Sequence, residues 1–164
     1  MADKVLEQSG LLGKLSLRGD VILTGSYRYD LMQSGDFDLY VVTGGTMKEV
    51  AMQILQDLIA QQWWNGHMFY DWVQFSKEHF PHGYYIGLTK YIEGCKWKID
   101  IWVVNQVPED QLRYVAWLES SLTAERRETI LRLKRESYER GRHLSAAQIY
   151  EAVLTRKITN LEEV

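Results

Sequence analysis

The sequence predicts an α+β domain built on a mixed β-sheet, with helices packed on one face of the sheet and a helical C-terminal third. Three observations support this prediction. Short runs of β-branched and aromatic residues alternate with an amphipathic helical segment up to residue 104. After Pro108 the pattern is helical. A chain of 164 residues with 46% hydrophobic residues is long enough to bury a sizeable core. We expect a core over residues 1–107 and a helical segment packed on it over 108–164.

The elements of the core follow from apolar periodicity and from turn residues. The helix at 47–62 has apolar residues at i, i+4, i+5, i+8 and i+9 and a Thr46 N-cap. Residues 92–95 predict a hairpin turn in which Gly94 supplies the positive φ. The predicted elements, in order, are a helix over 3–15 interrupted by Gly10 and Gly13, strands over 21–24 and 37–42, the helix over 47–62, and strands over 68–75, 84–91 and 96–104.

The C-terminal third is predicted to form three helices. The first covers residues 108–120, and the second begins at Thr123 and ends at Gly141. The third begins at Ser145, and Gln148 three residues later completes a capping-box pattern. These helices either close over a bound ligand or provide packing or a homodimer surface.

Composition excludes some functions. A net charge of −3 argues against a protein that binds long nucleic acids, since backbone binding needs clustered Lys and Arg. Residues 123–143 are locally basic, which suits either a solvated helix face with its own ion pairs or a rim near an anionic ligand. Cys95 is the single cysteine, so no intrachain disulfide can form. The sequence suggests neither a signal peptide nor a membrane span, so we expect a cytoplasmic protein.

Two acids stand one residue apart in an apolar strand. Because strand side chains alternate, Asp36 and Asp38 share the face opposite Phe37 and Leu39. Acids on a solvated sheet edge could instead discourage edge pairing. That interpretation leaves unexplained the third acid, Asp100, in another apolar strand.

Asp100 shares its face with Lys96, Lys98 and Trp102. If the two acid-bearing strands are neighbours, three carboxylates converge, and their pKa values rise unless a cation neutralises them. Mg²⁺ prefers oxygen ligands and keeps positions free for phosphates. The two lysines either pair with Asp100 or contact phosphates.

A candidate phosphate site lies just upstream of the acids. The strand at 21–24 ends in Gly25-Ser26, and a short helix is expected over 27–32. Gly25 permits close approach of the backbone, Ser26 offers a hydroxyl, and Arg28 can add a charge-assisted contact.

This ordered pattern over residues 20–104 resembles the nucleotidyltransferase superfamily of the DNA polymerase β type, especially its small stand-alone members. The resemblance rests on Gly25, Ser26, Asp36, Asp38 and Asp100. It implies that the acids hold two Mg²⁺ ions, for which Mn²⁺ can substitute, and that the Gly-Ser turn holds the triphosphate of ATP or another NTP. The third acid then helps to activate an acceptor hydroxyl. The implied reaction transfers a nucleoside monophosphate and releases pyrophosphate.

The acceptor is left open between small molecules, including drugs, and macromolecules such as a protein or a tRNA. A second hypothesis is a weakly active or inactive nucleotide-binding module of the same fold that acts through a protein partner. It is motivated by residues 27–30, which replace the small residue, Arg and Gly that follow Gly-Ser in many members of the superfamily.

Overall fold

The computed structural model describes all residues, 1–164, and contains one five-stranded mixed sheet in the order β1-β2-β5-β4-β3. Strands β2 and β5 pair in parallel at its centre, and every other neighbouring pair is antiparallel. The strands are β1 (Asp20–Thr24), β2 (Gly35–Val42), β3 (Gly66–Asp71), β4 (Tyr84–Ile92) and β5 (Cys95–Val104). This arrangement confirms the predicted fold class.

Seven α-helices and a final 3₁₀ turn complete the chain. No helix combines the length and the apolar character that a membrane crossing needs. The helices are α1 (Ala2–Ser9), α2 (Leu11–Ser16), α3 (Gly25–Arg28), α4 (Met47–Ala60), α5 (Glu109–Ser121), α6 (Ala124–Glu139) and α7 (Ala146–Leu154), and the 3₁₀ turn is Leu161–Glu163.

The main core lies between one face of the sheet and helices α1, α2 and α4. Phe37, Leu39 and Ile99 on the central strands are fully buried there, as are Ile54 and Leu58 of α4. Because alternate strand residues point to opposite faces, this packing leaves Asp36, Asp38 and Asp100 on the other face. The predicted division of the strand residues between the two faces is confirmed.

The C-terminal helices build a second apolar cluster. Leu118, Ile130 and Ile149, one from each of α5, α6 and α7, pack with Tyr29 and Leu31 from the segment after α3. Ser145 forms the predicted capping box with Gln148 at the start of α7. The helical third is therefore attached to the sheet beside the Gly25-Ser26 turn.

Local details depart from the predicted elements. The strand expected over 68–75 is Gly66–Asp71, because the carboxylate of Asp71 accepts hydrogen bonds from the backbone N–H groups of residues 73 and 74 and turns the chain. The helix expected over 27–32 is the single turn Gly25–Arg28. The helix expected over 3–15 divides at Gly10, which has a left-handed conformation (φ 59°).

Candidate active site

The acids of β2 and β5 meet in the middle of the sheet. Asp38 and Asp100 are direct partners in the parallel pairing of β2 with β5, and Asp36 is the partner of Lys98 in the same ladder. Thr24, the last residue of β1, pairs with Asp38 from the other side. We call Asp36, Asp38 and Asp100 the acidic cluster. Two chain segments far apart in sequence thus place carboxylates on one face, as the alternation predicted.

Gly25 brings the turn after β1 onto the acidic cluster. Its φ is 66°, and a Cβ atom at this position would lie 2.0 Å from Oδ2 of Asp38. Both the backbone conformation and the space therefore require glycine. The Gly25-Ser26 turn and the Asp38 carboxylate form one continuous surface.

Ser26 is contacted by the C-terminal helices. Its hydroxyl lies 3.0 Å from the hydroxyl of Tyr150 in α7 and accepts a hydrogen bond from Nζ of Lys134 in α6 at 3.2 Å. Lys134 also donates to the carbonyl oxygen of Leu31 at 2.6 Å. Burial lowers the pKa of Lys134, although the Asp36 carboxylate opposes this shift. A lysine thus stands beside the turn where an anion was predicted.

Asp100 is held by two neighbouring side chains. Tyr85 donates its hydroxyl hydrogen to Oδ1 at 2.6 Å, and Nζ of Lys98 donates to Oδ2 at 2.6 Å. Burial and then the bond to Asp100 raise the pKa of Tyr85, so the phenol stays protonated. Burial alone lowers the pKa of Lys98, but the Asp100 hydrogen bond and the surrounding carboxylates raise it overall. In this structure Lys98 is an ion-pair partner of Asp100.

Asp38 has no such compensation. Its carboxylate receives no side-chain hydrogen bond, whereas Thr24 bonds only to its backbone carbonyl at 3.3 Å. Burial, followed by the charges of Asp100 and Asp36, raises the pKa of Asp38 from 3.8 to about 6, with Lys98 opposing. The protein therefore leaves the ionised form of Asp38 poorly compensated.

The donor set fits a hard divalent cation. The structure holds no group of three or more His, Cys, Asp or Glu side chains already arranged to bind a metal ion. Carboxylate oxygens are nevertheless the ligands that Mg²⁺ prefers, and Asp38 offers one that no donor in the protein satisfies. A cation that also binds Asp100 must compete with Lys98. The carboxylate chemistry of the cluster therefore fits such an ion.

The acidic cluster lies in a cleft of about 1030 Å³ between the sheet and the C-terminal helices. A volume of this size is in the range of small-molecule and cofactor sites. Its polar lining includes Ser26, all three acids, Lys98, Lys134, Arg135 and His143. The cleft therefore combines an acidic wall with a basic one.

The side chain of Arg28 points away from the acidic cluster and the cleft. Its guanidinium donates to Glu119 at 2.7 Å and to the carbonyl of Leu23 at 3.2 Å, and the residue does not line the cleft. The phosphate contact of Arg28 stays a prediction. The cationic side chain in hydrogen-bond contact with Ser26 is Lys134.

Comparison with known proteins supports the fold. No protein-family model matches the chain. Comparison with curated protein sequences also gives no match. Among solved structures, the chain is similar to the Cid1 poly(U) polymerase with Mg and 3′-dATP bound, at a TM-score of 0.57 and 19% sequence identity. The aligned region covers 84% of this chain and 42% of that one, so this chain spans less than half the length of its neighbour.

The chain therefore shares the fold of the aligned part of this polymerase, and the predicted α+β fold with a mixed sheet is confirmed.

Sequence analysis did not single out three residues at this site. Tyr85, Lys134 and Tyr150 each have a partner whose distance in sequence hides the contact. The helical periodicity does indicate the position of Lys134. It lies four residues after Ile130 and three before Ser137, and therefore shares the face of α6 on which both of these residues are buried. Most other basic residues of this segment instead meet acids or carbonyl groups of the chain, including Arg127, Arg132, Arg140 and Arg142.

Proposed function

We propose that this protein is a Mg²⁺-dependent nucleotidyltransferase that transfers a nucleoside monophosphate from an NTP to an acceptor hydroxyl and releases pyrophosphate. The observation that carries the proposal is the placement of Asp38 and Asp100 as direct strand partners beside the Gly25-Ser26 turn, in a polymerase β-type fold. The similar solved structure, a poly(U) polymerase with Mg and a nucleotide bound, adds support. ATP binding and a cytoplasmic location stay predictions.

In this proposal the turn and α6 bind the triphosphate. Ser26 and its backbone contact the phosphates, and Lys134, already within 3.2 Å of Ser26 Oγ, pairs with their charge. An incoming triphosphate replaces Leu31 O or Ser26 Oγ as the partner of the ammonium group. The lowered pKa of Lys134 favours such an exchange, because a desolvated ammonium gains from an anionic partner.

The acidic cluster serves the transfer step. The acceptor oxygen bonds to the α-phosphorus while the bridging oxygen between the α- and β-phosphorus departs with pyrophosphate, and Asp100 accepts the hydroxyl proton. Asp36, Asp38 and Asp100 are the residues that would hold Mg²⁺, with two ions expected and Mn²⁺ as a substitute. When bound, such ions stabilise the negative charge on the attacking and leaving oxygens.

The test is pyrophosphate release. The protein is incubated with each of the common NTPs, Mg²⁺ or Mn²⁺, and a panel of acceptors comprising sugars, aminoglycosides, a protein extract and RNA. We expect release with at least one pair, and loss of at least about a hundredfold in Asp38→Asn. Ser120→Ala, on α5 outside the cleft, is the matched control and should keep full activity. Absence of turnover with every pair contradicts the proposal.

A second candidate function is a nucleotide-binding module that acts through a protein partner. The observation favouring it is that Lys98 and Tyr85 already occupy both oxygens of Asp100, which leaves this acid less available for catalysis. The module should bind an NTP, shown by calorimetry, and co-purify with a stoichiometric partner without turnover. Turnover by the isolated chain eliminates this candidate.

A further inference from the structure

A second, smaller cavity of about 350 Å³ adjoins the acidic cluster. It shares Ser26, Asp38 and Ala146 with the larger cleft, so the two spaces meet beside the phosphate turn. The larger cleft, at about 1030 Å³, has room for a complete nucleotide and contains the basic residues that suit a triphosphate, Lys134 and Arg135. The smaller cavity is therefore left for a different molecule.

Five aromatic side chains surround the smaller cavity, and we call them the aromatic cage. They come from separate parts of the chain: Tyr29 follows α3, Tyr40 lies in β2, Trp102 in β5, Tyr114 in α5 and Tyr150 in α7. None of these rings stacks on another member of the cage. The rings are therefore held apart around the space, and a molecule inside it is largely shielded from water.

The hydroxyl of Tyr29 indicates that the cavity takes a ligand. Tyr29 is only 6% exposed, and its hydroxyl group makes no hydrogen bond in the protein. A buried hydroxyl without a partner is destabilising, and such groups are rare in native proteins. The hydroxyl of Tyr150, in contrast, lies 3.0 Å from that of Ser26. Tyr29 thus keeps a hydrogen bond free for a molecule in the cavity.

The smaller cavity carries negative charge. Asp38 is the only charged residue that lines it, and no Lys, Arg or His does. Burial, followed by the charges of Asp110 and Asp38, raises the pKa of Tyr40 to about 12, so the negative potential extends to this ring. Nζ of Lys134 lies 5.7 Å from the ring centroid of Tyr150, yet Lys134 does not line the cavity. An anion in this space would meet a carboxylate and no cation, which disfavours a phosphorylated ligand.

We propose that the aromatic cage binds a small quaternary ammonium alcohol of the choline type, whose hydroxyl group is the acceptor. This inference rests on the proposed function and adds the class of acceptor. Aromatic rings attract a cation through the negative charge of their faces, and the attraction is stronger where water is excluded. A quaternary ammonium has no N–H group and needs no hydrogen-bond acceptor, which suits a wall made mostly of rings. Asp38 supplies the counter-charge.

Both ends of such a molecule have a partner. With the ammonium among the rings, the hydroxyl arm reaches toward Asp38, where the cavity meets the larger cleft. The Tyr29 hydroxyl is free to donate to the oxygen of that arm and orient it. In the transfer step this oxygen bonds to the α-phosphorus of the NTP, the bond from that phosphorus to the bridging oxygen breaks, pyrophosphate leaves, and the proton passes to Asp100. The product is a phosphodiester of the ammonium alcohol and the nucleoside.

Binding is tested without NTP or metal. Choline and its uncharged isostere neohexyl alcohol, in which carbon replaces the nitrogen, are titrated into the full-length protein by calorimetry. Choline should bind at least about tenfold more tightly than the isostere. Trp102→Leu should weaken choline binding roughly 5- to 30-fold. Trp72→Leu is the matched control, because Trp72 is also half-buried but lies outside the cavity, and it should change the affinity by less than about twofold.

A further variant, Tyr29→Phe, separates a ligand contact from a structural role. The Tyr29 hydroxyl contributes no hydrogen bond to the fold, so its removal should leave the urea midpoint unchanged or raised. The same change should weaken choline binding roughly 2- to 10-fold. Tyr91→Phe changes an exposed tyrosine of β4 and should alter neither quantity.

The outcomes separate the two proposals. Choline binding without pyrophosphate release for any NTP contradicts the transfer reaction and leaves the cage as a binding site. The cage assignment is overturned by equal affinities for choline and neohexyl alcohol, or by equal losses in Trp102→Leu and Trp72→Leu. It is also overturned if adenosine or uridine displaces choline, if an aminoglycoside binds more tightly than choline, or if turnover occurs with another acceptor that choline does not inhibit.

Discussion

Replacing Asp38 by asparagine is expected to stabilise the protein at neutral and alkaline pH while removing its proposed activity. The reason is that burial and the neighbouring acids raise the pKa of Asp38 from 3.8 to about 6. Each unit of pKa difference between the folded and unfolded states corresponds to about 1.4 kcal/mol. The full shift is therefore an upper bound of about 3 kcal/mol on the cost of ionising this carboxyl in the folded protein.

The sign follows from proton binding. Between about pH 4 and pH 6 the unfolded chain has released the proton of Asp38 and the folded protein still holds it, so unfolding releases protons and stability falls as the pH rises. Above this window Asp38 is ionised in both states, and the full loss of folding stability has occurred. Asparagine has nearly the same shape and cannot ionise, so the variant escapes the penalty at high pH and gains nothing at low pH.

The assay is thermal or urea unfolding of the metal-free protein over this pH range. At roughly pH 8 the variant should gain about 2–3 kcal/mol, or several degrees in Tm, whereas the two curves should converge near pH 4. Asp36→Asn is the control, since Asp36 is exposed and bonded to Ser34 and should give a smaller gain. A variant no more stable than the wild type at pH 8, or a gain independent of pH, refutes this reasoning.

Other substitutions test the surrounding geometry. Gly25→Ala should lower the free energy of unfolding by at least about 1–2 kcal/mol and abolish nucleotide binding, because the new Cβ atom clashes with Asp38 and the backbone is left-handed. A wild-type unfolding free energy and a wild-type nucleotide affinity by calorimetry would contradict the tight turn. Lys134→Met should leave stability within about 1 kcal/mol but weaken NTP binding roughly 10- to 100-fold, and an unchanged calorimetric affinity excludes a phosphate contact. Ser145→Ala should cost about 1 kcal/mol through loss of the capping box, with unchanged NTP affinity, whereas an unaltered urea midpoint would show that the cap contributes nothing.

The sequence was informative where local patterns decide structure. The alternation of strand side chains predicted that Asp36, Asp38 and Asp100 share one face of the sheet. A strand has only two faces, and the buried apolar residues that alternate with the acids occupy the other one. The Glu93-Gly94 turn formed as expected, with φ values of 52° and 78°. These features depend on a few neighbouring residues.

Long-range contacts were beyond such reasoning. The hydrogen bond of Tyr85 to Asp100 depends on register and on the empty position at Gly87, neither of which is visible in a strand pattern. The contact of Lys134 with Ser26 joins residues 108 positions apart. The ion pair of Arg28 with Glu119 likewise joins the turn to a distant helix. Such side-chain partners are determined by tertiary packing, which the local sequence pattern does not reveal.

The parallel pairing of β2 with β5 has a consequence for folding. Asp38 and Asp100 become neighbours only when a loop of about sixty residues, which includes α4, β3 and β4, has closed. Closure on this scale is slow, and its entropic cost is recovered only once the centre of the sheet is complete. No partly folded intermediate that lacks this central pair can bring the carboxylates together. The acidic cluster should consequently form late, in the last cooperative stage of folding.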